Sequence, residues 1–114
     1  MVRDVEHEQD FELLVQRSHN TPVFLLKHST RCPISGAAWR EYQRFGEAQP
    51  SAELWRVLVI ENSPLSAKVA STTGIGHQSP QILLFSGGQV VWHASHWSIT
   101  QEAMADALNG GGLV

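Results

Sequence analysis

The chain has no second cysteine to accompany Cys32. It can form no internal disulfide, and it lacks the thiolate set of a multi-cysteine metal site. Positive charge is also scarce. Eight Lys and Arg stand against eleven Asp and Glu, a net charge of −3 that offers no basic field for nucleic acid. No apolar run approaches the ~20 residues that a membrane helix requires. The stretch from Met1 to Asp10 is charged and lacks the apolar centre of a secretory signal. Phosphate-binding glycine loops and nucleophilic-serine motifs are missing. The six histidines have no cysteine or carboxylate companions at zinc spacing, so no metal site is expected. These absences lead to the expectation of a cytoplasmic protein without nucleic-acid or membrane partners.

What is present is an ordinary globular composition. The 114 residues, 42% of them hydrophobic, suit one domain over 1–114 with a single core. Phe11, Leu14 and Val15 share one helical face, in a helix beginning near Asp10 and ended by Asn20 and Pro22. Val23-Phe24-Leu25-Leu26 is apolar at successive positions, the pattern of a strand covered on both faces. Ile34, Ala38, Tyr42 and Phe45 line a second helix, opened by Pro33 and running to about Gly46 or Ala48. Leu54 to Ile60 is a second strand, interrupted only by Arg56. Ser63-Pro64 supplies an N-cap and a first-turn proline for a third helix, lined by Leu65, Val69 and Ala70 and ending before Gly74.

Gly74 to Ser79 reads as a loop, followed by Pro80 and a third strand over 81–85. Ser86-Gly87-Gly88 is a hairpin signal, and 89–94 returns as an antiparallel fourth strand. Ser98 with Gln101 fits a capping box for a last helix lined by Ala103, Met104, Ala107 and Leu108, and Gly110-Gly111-Gly112 ends it. Trp39, Trp55, Trp92 and Trp97 are expected in core or half-buried packing. The order α β α β α β β α predicts an α/β fold: a four-stranded mixed sheet with helices on both faces.

The lone thiol lies in His28-Ser29-Thr30-Arg31-Cys32-Pro33-Ile34-Ser35, where the first strand gives way to a helix. The first N–H groups of a helix lack intrahelical acceptors, and the macrodipole adds partial positive charge there. Both stabilise a thiolate, the nucleophilic form of cysteine. Arg31 either raises the local positive potential or is a solvated surface residue. His28 either lies near Cys32 or sits at the sheet end.

This element order, with a cysteine after the first strand and a proline before the third, resembles the thioredoxin fold. Pro22-Val23 leading to Lys27-His28-Ser29-Thr30-Arg31-Cys32-Pro33-Ile34-Ser35, then Ser79-Pro80-Gln81, is similar to one family within it, the monothiol bacilliredoxins of the bacillithiol redox system. The resemblance implies that Cys32 is the catalytic nucleophile of a thiol–disulfide oxidoreductase. It would remove bacillithiol, or a related low-molecular-weight thiol such as a methylated relative or glutathione, from protein mixed disulfides. The partners implied are S-thiolated client proteins and the small thiol as co-substrate, with no tightly bound cofactor.

Ser35 matches the second cysteine of dithiol relatives, so no internal Cys-x-x-Cys cycle is open to this chain. Thr30, Arg31 and Pro33 would frame the thiol, Arg31 pairing with a carboxylate of the bound thiol and Ser35 donating to the thiolate. Thioredoxin-fold relatives also imply a cis Ser79–Pro80 bond facing the cysteine, with the Ser79 backbone pairing with bound thiol or client like an added strand. Two alternatives are a glutaredoxin-like iron–sulfur carrier and a non-catalytic thioredoxin-like binding module. Pro33-Ile34 stands where such carriers usually have glycine-phenylalanine, which disfavours the cluster.

Overall fold

A computed structural model describes residues 1–110. The Gly111–Gly112 part of the expected glycine stop lies outside the described residues. The elements are β1 (Val2–Asp4), α1 (Glu8–Arg17), β2 (Val23–His28), α2 (Pro33–Ala48), β3 (Glu53–Leu58), α3 (Ser63–Thr73), β4 (Gln81–Ser86), β5 (Gln89–Ser95), a 3-10 turn (His96–Ser98) and α4 (Gln101–Leu108). They form one five-stranded sheet in the order β1-β3-β2-β4-β5. β1, β3 and β2 run parallel, and β4 and β5 run antiparallel to their neighbours.

The sheet therefore has five strands, not the expected four. The additional one, β1, is three residues long and adds to the outer edge of β3. So short a segment has almost no side-chain periodicity of its own. Its pairing with β3 and an ion pair between Arg56 Nε and Asp4 Oδ1 at 2.8 Å hold it. α1 also starts earlier than expected, at Glu8. Asp10 does not open the helix; its carboxylate accepts the N–H groups of Glu6 (3.0 Å) and His7 (3.1 Å), tying down the approach to the first turn.

β2 is the central strand. All its residues are buried, as its unbroken apolar run requires. Alternation along the strand sends Val23 and Leu25 into a core shared with Phe11 and Leu14 of α1 and Leu65 and Val69 of α3. Phe24 and Leu26 enter a second core with Ala38, Tyr42 and Phe45 of α2 and Met104 and Ala107 of α4. Each fully buried Phe or Leu contributes ~1.5–3 kcal/mol, so two such faces hold the sheet between its helices.

The hairpin between β4 and β5 turns on Gly87 (φ 63°) and Gly88 (φ 82°), both in the left-handed region that a two-residue loop needs. Ser18, at the end of α1, accepts both glycine N–H groups: its carbonyl from Gly87 at 2.8 Å and its hydroxyl from Gly88 at 3.0 Å. Two expected caps move by a residue or two. Asn62, not Ser63, precedes α3, with Pro64 still in the first turn. Thr100, not Ser98, caps α4 and accepts the Ala103 N–H at 3.1 Å, because the 3-10 turn takes up Ser98. Trp55 is buried as expected, but Trp97 is 69% exposed on that turn. Among the described residues no helix is long and apolar enough to cross a membrane.

Candidate active site

Cys32 is the residue that precedes α2. Its backbone is extended (φ −110°, ψ 123°), and its carbonyl accepts the Gly36 N–H at 3.1 Å, the first bond of the helix. Pro33 fills the first helical position without presenting an N–H. The next two N–H groups, of Ile34 and Ser35, have no intrahelical acceptor and are free to face the sulfur. The Ser35 N–H has the largest influence, drawing the partly exposed Cys32 thiol below its ordinary value. Desolvation opposes this, while the Ile34 N–H and the Ser35 hydroxyl reinforce it. The Ser35 side chain is fully buried, and its hydroxyl makes no hydrogen bond among the described residues. It is a donor in reserve for a negative sulfur.

The other sequence-selected residues divide. The exposed Thr30 turns its hydroxyl to Glu61 Oε2 at 3.4 Å rather than to the sulfur. Arg31 is exposed; its N–H donates to Ser29 Oγ at 3.3 Å, and its side chain enters no ion pair among the described residues. The Ser79–Pro80 bond is cis. Lys27 pairs with Gln81 across the sheet, which sets Pro80 alongside His28, at the end of β2 from which the chain leaves for Cys32. Pro80 is buried, its carbonyl accepts the His96 N–H at 3.0 Å, and the Ser79 hydroxyl beside it is buried without a partner among the described residues. Cys32, Ser35, Ser79 and Pro80 thus gather at one end of the sheet, while Thr30 and Arg31 lie on the solvent side of the turn.

His28, which the sequence allows either at the site or at the sheet end, is 6% exposed beneath α2. Its ring stands 5.5 Å from that of Trp39, over which the Arg56 guanidinium lies at 4.4 Å. Burial lowers the His28 pKa, and the Arg56 charge lowers it further, against smaller raising effects from the Ser35 backbone and Glu61. The ring is therefore biased to the neutral form at neutral pH. Its signal in the sequence is position: it follows Lys27 after an apolar run, four residues before the cysteine. Among the described residues no group of three or more His, Cys, Asp or Glu side chains converges as a metal site would require.

Only the thiolate attacks, so the rate of alkylation follows its population. Because the Cys32 pKa is depressed, its rate rises at lower pH than that of free cysteine. Near neutral pH, Cys32 is expected to react faster with iodoacetamide than free cysteine does, and Ser35→Ala, which keeps the Ser35 backbone N–H and removes only the hydroxyl, to shift the profile upward by a small amount. A pH series of alkylation rates measures both; a profile identical to that of free cysteine would remove the electrostatic role of the helix start.

The family model described as Monothiol bacilliredoxin BrxC matches residues 3–104. A solved structure described as having a thioredoxin fold superposes with a TM-score of 0.86 at 30% identity, covering 93% of this chain and 92% of that one. A thioredoxin of Malassezia sympodialis has a TM-score of 0.76 at 16% identity, with 98% and 91% covered. One of Fasciola hepatica has 0.74 at 14%, with 94% and 96% covered. These two likenesses are of fold.

Proposed function

The chain belongs to the monothiol bacilliredoxin family of thioredoxin-fold thiol oxidoreductases, and from that premise we propose that it removes bacillithiol, or a related small thiol, from client proteins in a reducing cytoplasm. The observation that carries this reading is the Cys32 thiol at the start of α2, held below its ordinary pKa by the Ser35 and Ile34 N–H groups in a chain with no second cysteine.

In the first step the Cys32 thiolate attacks the small-thiol sulfur of a client mixed disulfide. The new S–S bond joins Cys32 to the small thiol, and the client sulfur leaves as a thiolate with the electron pair of the broken bond. In the second step the thiolate of another small-thiol molecule attacks that same sulfur. A symmetrical small disulfide departs and the Cys32 thiolate is restored. Ser35 cannot take the second step, since a hydroxyl does not displace a thiolate at neutral pH. Its hydroxyl instead has the position to donate to the Cys32 thiolate in the resting and released states.

The partners in this reading are the thiolated client and the small thiol. In this reading the Ser79 backbone pairs with an extended chain crossing the site. Arg31, next to Cys32 in sequence, exposed and in no ion pair among the described residues, pairs in this reading with a carboxylate of the small thiol.

Mass spectrometry under thiol trapping tests the proposal. Protein mixed with a bacillithiolated client is expected to gain the mass of one bacillithiol, mapped to Cys32 and released by excess free thiol. No adduct, or one that free bacillithiol cannot release, would refute the exchange cycle. The mass on protein trapped in its host would identify the native thiol.

A further inference from the structure

The end of β2 carries a cation that the chemistry of Cys32 does not use. Lys27 is 0% exposed, and none of the ion pairs among the described residues includes it. Alternation along β2 sends its side chain to the α1 and α3 side of the sheet, opposite to His28. There Lys27 Nζ lies 3.2 Å from His77 Nδ1, and the Ser66 hydroxyl lies 3.4 Å from the same nitrogen. Gln81, the partner of Lys27 across the sheet, donates Nε2–H to the Gly76 carbonyl at 3.1 Å and leaves Oε1 buried without a partner among the described residues. Ser66, Gly76 and His77 belong to the wall of a cavity of about 660 Å³ between α3 and the loop after it, where Val59, Ala67 and Ile75 supply apolar surface.

A buried ammonium that meets a neutral imidazole and, among the described residues, no counter-charge is disfavoured, and burial lowers the Lys27 pKa accordingly. For His77 Nδ1 to accept from that ammonium, the ring must be neutral and carry its proton on Nε2. Burial, and then the Lys27 charge, lower the His77 pKa and favour that neutral form. The Nε2–H is then a donor polarised by the cation behind it, on an exposed residue that lines the cavity.

We propose that this cavity is a second binding site, independent of Cys32, for a small aliphatic monocarboxylate. The carboxylate accepts from His77 Nε2–H, and Lys27 supplies the missing opposite charge through the imidazole. The alkyl part rests on Val59, Ala67 and Ile75. One buried cation matches one negative charge, and the apolar wall separates an aliphatic acid from a simple inorganic anion.

The test titrates butyrate into the isotopically labelled full chain at constant ionic strength, with sodium chloride as balancing salt and sulfate as a parallel anion. The His77 ring and the Lys27 ε-methylene signals are followed by NMR. Saturable shifts at both residues are expected with butyrate and neither with chloride nor with sulfate. Lys27→Met and His77→Ala are each expected to weaken binding by about tenfold or more, since each removes a charge-assisted interaction. His77 is exposed, so its alanine variant keeps the test decisive if Lys27→Met does not fold. Shifts linear in butyrate, equal binding of sulfate, or unchanged affinity in His77→Ala would overturn the proposal, and would leave the reading of Cys32 untouched.

Discussion

Cys32→Ser is expected to reduce the proposed removal of bacillithiol from a thiolated client to the uncatalysed background. Oxygen replaces the one sulfur in the chain, apart from the methionine thioethers, and a serine hydroxyl at neutral pH holds almost no anion to attack a disulfide. The fold should not register the change. Cys32 is partly exposed and precedes α2 through its backbone, so the stability of the variant should stay within ~0.5 kcal/mol of the parent, as for other surface substitutions. Release of labelled thiol from the client, with denaturant unfolding alongside, reads both halves. Client reduction at the parental rate by a well-folded Cys32→Ser protein would end the enzymatic interpretation.

Tyr42→Phe is expected to destabilise the protein by ~1–3 kcal/mol, because it strips one hydroxyl and leaves buried backbone groups without a partner. Tyr42 is fully buried on α2. Its Oη lies 2.8 Å from the Trp55 carbonyl and 3.1 Å from the Phe24 carbonyl, and it accepts the Trp55 N–H at 3.1 Å. The hydroxyl therefore ties the helix that begins at Cys32 to both β2 and β3. Burial pushes its pKa well above the ordinary 10.0, against a smaller lowering effect of the Trp55 backbone. In the unfolded chain the same group ionises near pH 10. Its contribution is complete below that pH and is lost as pH rises from there toward the folded value, since the unfolded state releases the proton first. Denaturant unfolding at pH 7 and across the alkaline range measures both effects; an unchanged midpoint at pH 7 would show that water replaces the tyrosine bonds at no cost.

Much of this architecture was legible in the sequence, and the exceptions share a cause. β2, α2 and the hairpin each declare themselves locally: an unbroken apolar run, a proline-led helical face, a pair of glycines. β1 does not, because β3 holds its backbone from far along the chain and its own side chains mostly face solvent. Lys27 and His28 suggested emerging polarity after the apolar run, yet both are buried. Their companions, His77 for one and Trp39 for the other, come from segments fifty and eleven residues away. At the candidate site, the thiol and its helix start were visible because both are matters of neighbouring residues. The orientation of the Thr30 hydroxyl toward Glu61 depends on where β3 ends, and no local pattern encodes it.

β1 also decides where the molecule can be handled. It runs parallel to β3 with Val2 opposite Leu54, which in turn lies beside Phe24, near the start of β2. Met1 therefore sits at the opposite end of the sheet from the turn that bears the thiol, on a border strand away from β4. A fluorescent reporter carried at Met1 would sit at that far corner, leaving the approach to Cys32 clear for a protein-sized visitor.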